Sequence, residues 1–192
     1  MRDDDKLLIR AENLVISRGS QRIINDLNLE LIQGDIIVLS GENGCGKSTL
    51  IESLANLINP EKGSLTHTNP RFGLTLQQNG INGDELVSER ISYAMMVANG
   101  DPEDMDKILE HWNILHRKSD QIAQLSFGIK RRVSVIQGLM PAYCSNTPTF
   151  CLLDEPTEGL DRNSVELLVK DLVSLSKKGH GFIIATHDSR LQ

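Results

Sequence analysis

Residues 27–32, LNLELI, alternate Leu27, Leu29 and Leu31 with polar neighbours, the period of a strand that buries one face. Gly34-Asp35 supplies a turn, and IIVLS at 36–40 then runs apolar without alternation, which predicts a central strand covered on both faces. TFCLLD at 149–154 and GFIIAT at 181–186 have the same character. Helical spacing runs through Leu50, Ile51, Leu54, Leu57 and Ile58 until Asn59-Pro60 stops it. It returns at Val165, Leu168, Val169, Leu172 and Leu175, ahead of Gly179. Strands alternating with helices predict an α/β fold with a largely parallel sheet. Residues 79–145 break the alternation and have no buried-strand pattern. They carry Met95, Met96 and the sole Trp112 on helical-looking segments around an Asn99-Gly100-Asp101-Pro102 turn, and read as a helical lobe inserted into a single domain spanning 1–192. The Met and Trp side chains are assigned to packing within that lobe.

Composition narrows the setting. A chain of 192 residues with 39% apolar and 24% charged positions builds one ordinary core. The net charge of -6 weighs against general nucleic-acid binding, and Lys130 to Arg132 is the one candidate basic patch. Three cysteines, at 45, 144 and 151, have no CxxC spacing and indicate neither a disulfide framework nor a zinc site, which fits a reducing cytosol. The opening MRDDDKLLIR puts acidic residues before apolar ones, the reverse of a secretory leader. No apolar run reaches the roughly 20 residues that cross a bilayer, so a membrane role requires a partner.

Candidate chemistry begins directly after IIVLS. GENGCGKST, 41–49, has the spacing GxxxxGK[ST] between a predicted strand and an amphipathic helix, the context this motif requires. Gly41, Gly44 and Gly46 let backbone N–H groups curl around phosphate oxygens, with Glu42, Asn43 and Cys45 between them. Lys47 offers a mobile cation to the β and γ phosphates, the Ser48 hydroxyl offers a ligand to Mg²⁺, and Thr49 completes the loop. Cys45 is either a small packing residue or a thiol close to bound phosphate. FCLLDEP, 150–156, ends a buried strand on two acids: Asp154 suits the metal and Glu155 suits a general base that polarises an attacking water.

Taken in order, these pieces resemble the nucleotide-binding subunit of ATP-binding cassette (ABC) transporters, over nearly the whole chain. GENGCGKS is similar to the Walker A loop and FCLLDE to Walker B. Gln77 in FGLTLQ stands where the family's Q-loop glutamine joins the catalytic core to the helical lobe, and is expected to meet nucleotide and metal; EGLD at 158–161 resembles the D-loop, and His187 in ATHD the switch histidine. The resemblance implies a P-loop NTPase core with a mainly parallel sheet, an N-terminal antiparallel β portion and an inserted helical subdomain. It implies ATP and Mg²⁺ as ligands, catalytic roles for Lys47, Glu155 and His187, and metal ligation by Ser48, Gln77 and Asp154. LSFGIKRR, 125–132, falls at the family's LSGGQ signature, which caps the γ-phosphate held by a facing subunit, here through Ser126 and Gly128.

Two departures accompany the match. Phe127 replaces the first signature glycine and Ile129 the glutamine, while Gln137 stands where arginine is usual. The segment either works with less polar support or pairs with a different cassette. Upstream, ISRGSQRII offers no aromatic to stack on adenine; Arg18 or Arg22 could stack its guanidinium plane instead, or remain solvated. The expected partners are an integral membrane transporter subunit and a second ABC ATPase subunit, identical or not, with no nucleic acid and no direct membrane insertion. The expected location is the cytoplasmic face of the membrane. With five residues after His187, no C-terminal regulatory domain is expected. The competing readings are a soluble cassette ATPase acting on nucleic acid, a ribosome or an assembly machine, and a phosphate-loop kinase, which leaves LSFGIKRR without a role.

Overall fold

The computed structural model describes residues 6–69, 71–77 and 83–191. An antiparallel sheet, ordered β2-β1-β4, is formed by β1 (Leu7–Arg18), β2 (Gln21–Ile32) and β4 (Lys62–His67). A parallel sheet, ordered β3-β7-β6-β5, is formed by β3 (Ile36–Leu39), β5 (Gly73–Thr75), β6 (Phe150–Asp154) and β7 (Gly181–Ala185). The α/β class and the antiparallel N-terminal portion expected from the sequence are present. In β2, Leu27 and Leu29 are half-buried and Leu31 is buried, while Asn28 faces solvent, as the alternation predicted.

Strands β6 and β7 are buried at every position, the consequence of covering both faces. Phe150, Leu152, Ile183 and Ala185 join the core shared with the antiparallel sheet and helix α1 (Lys47–Leu54). Cys151, Leu153, Phe182 and Ile184 join the opposite core, with helices α4 (Phe127–Cys144) and α5 (Arg162–Ser176). Burial holds the Cys151 thiol at about 12. Strand β3 departs from the prediction: it pairs only with β7 among the described residues, and Ile36 is exposed. Its unbroken apolar run is thus that of an edge strand whose other neighbours are side chains, a distinction periodicity does not carry.

Helix α1 also ends earlier than predicted, at Leu54, because Asn56 adopts a left-handed conformation (φ +57°) that cannot continue it; Leu57 is exposed. Helix α5 follows its predicted stripe, burying Val165, Leu168, Leu172 and Leu175. Between β5 and β6 the described residues form α2 (Val87–Ala98), α3 (Met105–His111), three short 3₁₀ turns and α4, with a single bridge from Leu86 to Gln121 and no strand. Met95 and Trp112 are core residues, but Met96 is 65% exposed beside Tyr93 and Val97 and takes no part in packing. Trp112 donates to the Tyr143 hydroxyl at 2.9 Å, and that hydroxyl and His111 both meet the Asp171 carboxylate, joining α3, α4 and α5.

Helix α4 crosses β5 at very close range. A Cβ on Gly73 would stand 1.8 Å from the Gly138 carbonyl oxygen, so the contact excludes any side chain there. This approach carries the first turns of α4 toward the C-terminal end of the sheet.

Candidate active site

The four parallel strands end on one edge, the position at which open α/β sheets bind ligands. Residues 41–49 follow β3, His187 follows β7, Asp154 and Glu155 close β6, and Gln77 lies two residues beyond β5. Gly41, Gly44 and Gly46 all have positive φ. At Gly46 (φ +104°) a Cβ would also lie 2.5 Å from Ile23 Cγ2, so the loop can seat on β2 only with glycine there. Helix α1 then starts at Lys47 with no side-chain cap. The Lys47 ammonium donates to the carbonyls of Gly41 (2.7 Å) and Glu42 (3.1 Å), folding back across the loop.

A cleft of about 300 Å³ brings together Asn43, Gly44, Gly46, Lys47, Ser48, Thr49, Gln77 and Glu155, with Arg18 and Ile23 at its side. A larger cleft, about 790 Å³, lies against α2 and contains none of these residues. Arg18 donates to the Thr49 hydroxyl at 3.1 Å and pairs with Glu52, which ties its guanidinium to α1. Arg22 lies outside the cleft, against Asn25 and Glu61. Glu42 and Cys45 are exposed.

Asp154 is 2% exposed, and burial raises its pKa, against hydrogen bonds from the Ser48 hydroxyl and the Gln77 amide. Its Oδ1 is buried without a hydrogen-bond partner. An orphaned carboxylate oxygen beside a serine hydroxyl is a set of hard oxygen donors, and it fits Mg²⁺. No group of three or more His, Cys, Asp or Glu among the described residues could enclose a metal. Mg²⁺ bound through these protein oxygens would keep water and substrate oxygens in the rest of its shell.

Glu155 is 5% exposed and adopts φ +46°, a left-handed conformation that is costly for a non-glycine residue. Its amide still donates to the Ala185 carbonyl at 2.8 Å, so strand pairing holds the backbone while the turn re-aims the side chain. The carboxylate Oε2 sits 3.0 Å from His187 Nδ1 and accepts the His187 amide at 3.3 Å. This hydrogen bond, and then the carboxylate charge, raise the His187 pKa above 6.5. The imidazolium pair is thus complete at low pH and is lost as pH rises through that raised value. NMR titration of the His187 ring should give a midpoint above 6.5 that falls in Glu155→Gln; equal midpoints in the two proteins would show that the contact does not form in solution.

Ser126 and Gly128 lie away from this cleft, at the start of α4. The Ser126 hydroxyl caps the helix by accepting the Ile129 amide at 3.4 Å. Phe127 is 56% exposed and its ring lies against Gly159, where a Cβ would come 2.2 Å from Cε1. Arg132 pairs with Asp161, the N-cap of α5, and so fastens the start of α4 to the 158–161 loop.

The basic trio is not the surface patch that its sequence indicated. Lys130 donates to the Ala123 carbonyl, Arg132 is occupied by Asp161, and Arg131 is 1% exposed. Arg131 donates to the carbonyls of Leu76 (2.9 Å), Gln77 (3.3 Å), Asp154 (2.8 Å) and Glu155. Sequence reasoning missed this residue by taking three adjacent cations as one candidate basic patch. The signal was helical phase: Arg131, Val135, Gly138 and Ala142 share one stripe, and all four are buried.

Comparison with known proteins agrees with this geometry. The sequence profile of the family described as ABC transporter matches residues 24–158, well over half of the chain. A zinc import ATP-binding protein, ZnuC, of Yersinia pestis is 31% identical over 189 residues, covering 96% of this chain and 72% of the relative. An uncharacterized ABC transporter ATP-binding protein of Methanocaldococcus jannaschii is 29% identical, covering 93% and 68%. ZnuC of Photorhabdus laumondii is 32% identical over 87% of this chain, which spans 63% of that relative's length. A solved structure described as the ATP binding subunit of an ABC transporter superposes with a TM-score of 0.83 at 22% identity, covering 94% of this chain and 79% of the other. A phosphate loop, a buried Asp-Glu pair and a histidine gathered on one sheet edge, within a chain matched over this extent, establish that the protein belongs to the ABC transporter family of ATP-binding proteins.

Proposed function

We propose that this chain, as one ATPase domain with residues 79–145 as its inserted lobe, binds MgATP on the 41–49 loop and hydrolyses it to drive a membrane transporter. The observation that carries the reading is the convergence of Lys47, Ser48, Asp154, Glu155 and His187 on one edge of the parallel sheet. Lys47 would leave the carbonyls of Gly41 and Glu42 for the β and γ phosphates, where an ammonium counters the negative charge. Glu155 would take a proton from the attacking water as the new P–O bond forms and the bond to the bridging oxygen of ADP breaks, with His187 holding the carboxylate in place. Mg²⁺, held by Ser48 and Asp154 with Gln77 alongside, would neutralise phosphate charge.

Ser126 and Gly128 do not line the cleft of their own chain, which supports completion of the pocket by a second ABC subunit, identical or different. ATP then acts as the ligand that selects the closed dimer, and hydrolysis releases it. No described helix is long and apolar enough to cross a membrane, and coupling is assigned to an integral membrane subunit at the cytoplasmic face. The relatives' names are those of transport proteins, zinc import and macrolide export among them, which supports this reading over a soluble ATPase that works on nucleic acid. Pull-down of the tagged chain from detergent-solubilised membranes is expected to recover an integral membrane protein, with ATPase activity unchanged by added nucleic acid. Nucleic-acid stimulation without a membrane partner would favour the alternative.

A further inference from the structure

Arg131 is buried to 1% exposure, and the chemistry above gives it no part. Sequestering a guanidinium is costly, and here the cost is offset by carbonyl dipoles from two different chain segments: Leu76 and Gln77 beyond β5, Asp154 and Glu155 at the end of β6. The β5–β6 ladder ends at the pair Thr75 and Leu153. Past that point the guanidinium bridges the segments that carry Gln77 on one side and Asp154 on the other. We propose that Arg131 is a positioning residue: by clamping the ends of β5 and β6 at a fixed separation, it holds Asp154 and Gln77, beside Ser48, in the arrangement a divalent cation requires. The inference rests on the reading of this edge as a MgATP site.

Two features make arginine specific for this task. Its planar fork presents five N–H donors in fixed directions, enough to reach two pairs of carbonyls at once, whereas a lysine ammonium presents three donors from one point. Its backbone is also held, because the stripe of α4 that carries it packs tightly over β5 through Gly138. Its hydrogen bonds to the carbonyls of Leu76, Gln77, Asp154 and Glu155 fall on the two strand ends and not on residues 41–49. The proposal therefore separates two properties that a general loss of structure would move together: nucleotide binding by the loop, and metal binding at the strand ends.

The test uses the full chain with Arg131→Lys. Binding of ADP without metal is measured by displacement of a fluorescent analogue, and binding of Mn²⁺ in the presence of ADP by electron paramagnetic resonance. Metal-free ADP affinity should stay within about twofold of the unaltered protein while Mn²⁺ affinity falls at least about tenfold, the scale seen when residues supporting metal ligands are changed. Unchanged Mn²⁺ affinity, or parallel loss of both affinities, would overturn the proposal. If the variant does not fold, the unaltered protein decides: on adding Mg²⁺ to the ADP-bound chain, the ¹⁵N guanidinium signals of Arg131 should shift, and unmoved signals overturn the assignment. Failure of the unaltered protein to bind ADP at all would instead sink the nucleotide-site reading beneath it.

Discussion

Glu155→Gln is expected to lower ATP turnover by about 10²- to 10⁴-fold, the contribution typical of a positioned general base. The substitution keeps the shape of the side chain and an oxygen able to accept the His187 amide, which now bonds to Oε2 at 3.3 Å. It removes the basicity needed to draw a proton from water. Nothing in the phosphate loop is touched, since Lys47 and Ser48 make their contacts with Gly41, Glu42 and Asp154. The variant should therefore still bind ATP, and by failing to cleave it should accumulate as an ATP-bound dimer. Single-turnover phosphate release and size-exclusion chromatography with ATP read the two effects separately. Turnover at the rate of the unaltered protein would remove Glu155 from the role assigned to it.

Lys47→Ala is expected to weaken ATP binding by about 10- to 100-fold, since hydrogen bonds to charged groups contribute about 1.5–3 kcal/mol and each 1.4 kcal/mol is tenfold in affinity. In the described structure the ammonium meets two carbonyls of the loop, at 2.7 Å and 3.1 Å, on residues that are exposed. Truncation should consequently cost affinity far more than stability. Calorimetric titration with a non-hydrolysable ATP analogue checks the first, and thermal unfolding the second. An affinity equal to that of the unaltered protein would contradict the phosphate-loop reading. Together with Glu155→Gln, this variant separates binding from cleavage.

Arg131 shows why part of the candidate site was hard to read. The residues 41–49 were legible because glycine positions, a lysine and a hydroxyl at fixed spacing have few other uses, and because the strand before them and the helix after them were periodic. Asp154 and Glu155 were legible for a similar reason, at the end of an apolar run. Arg131 sits in KRR, where composition points outward and only the helical phase with Val135 and Gly138 points inward. The same ambiguity affected Met96, apolar in sequence yet exposed on α2, and strand β3, apolar throughout yet at a sheet edge.

The sequence by itself determined the α/β class, the phosphate loop, the pair of acids and the membership of Leu168, Leu172 and Leu175 in one buried helix face. Each of these follows from short-range spacing, and spacing is written in the chain. Only the tertiary structure decided that Glu155 turns left-handed to meet His187, that Asp154 keeps a buried oxygen beside Ser48, and that Arg131 spans two strand ends. These depend on which segments separated by tens of residues come to lie side by side, and local periodicity cannot specify that: strand order and helix crossing are set by how whole surfaces pack.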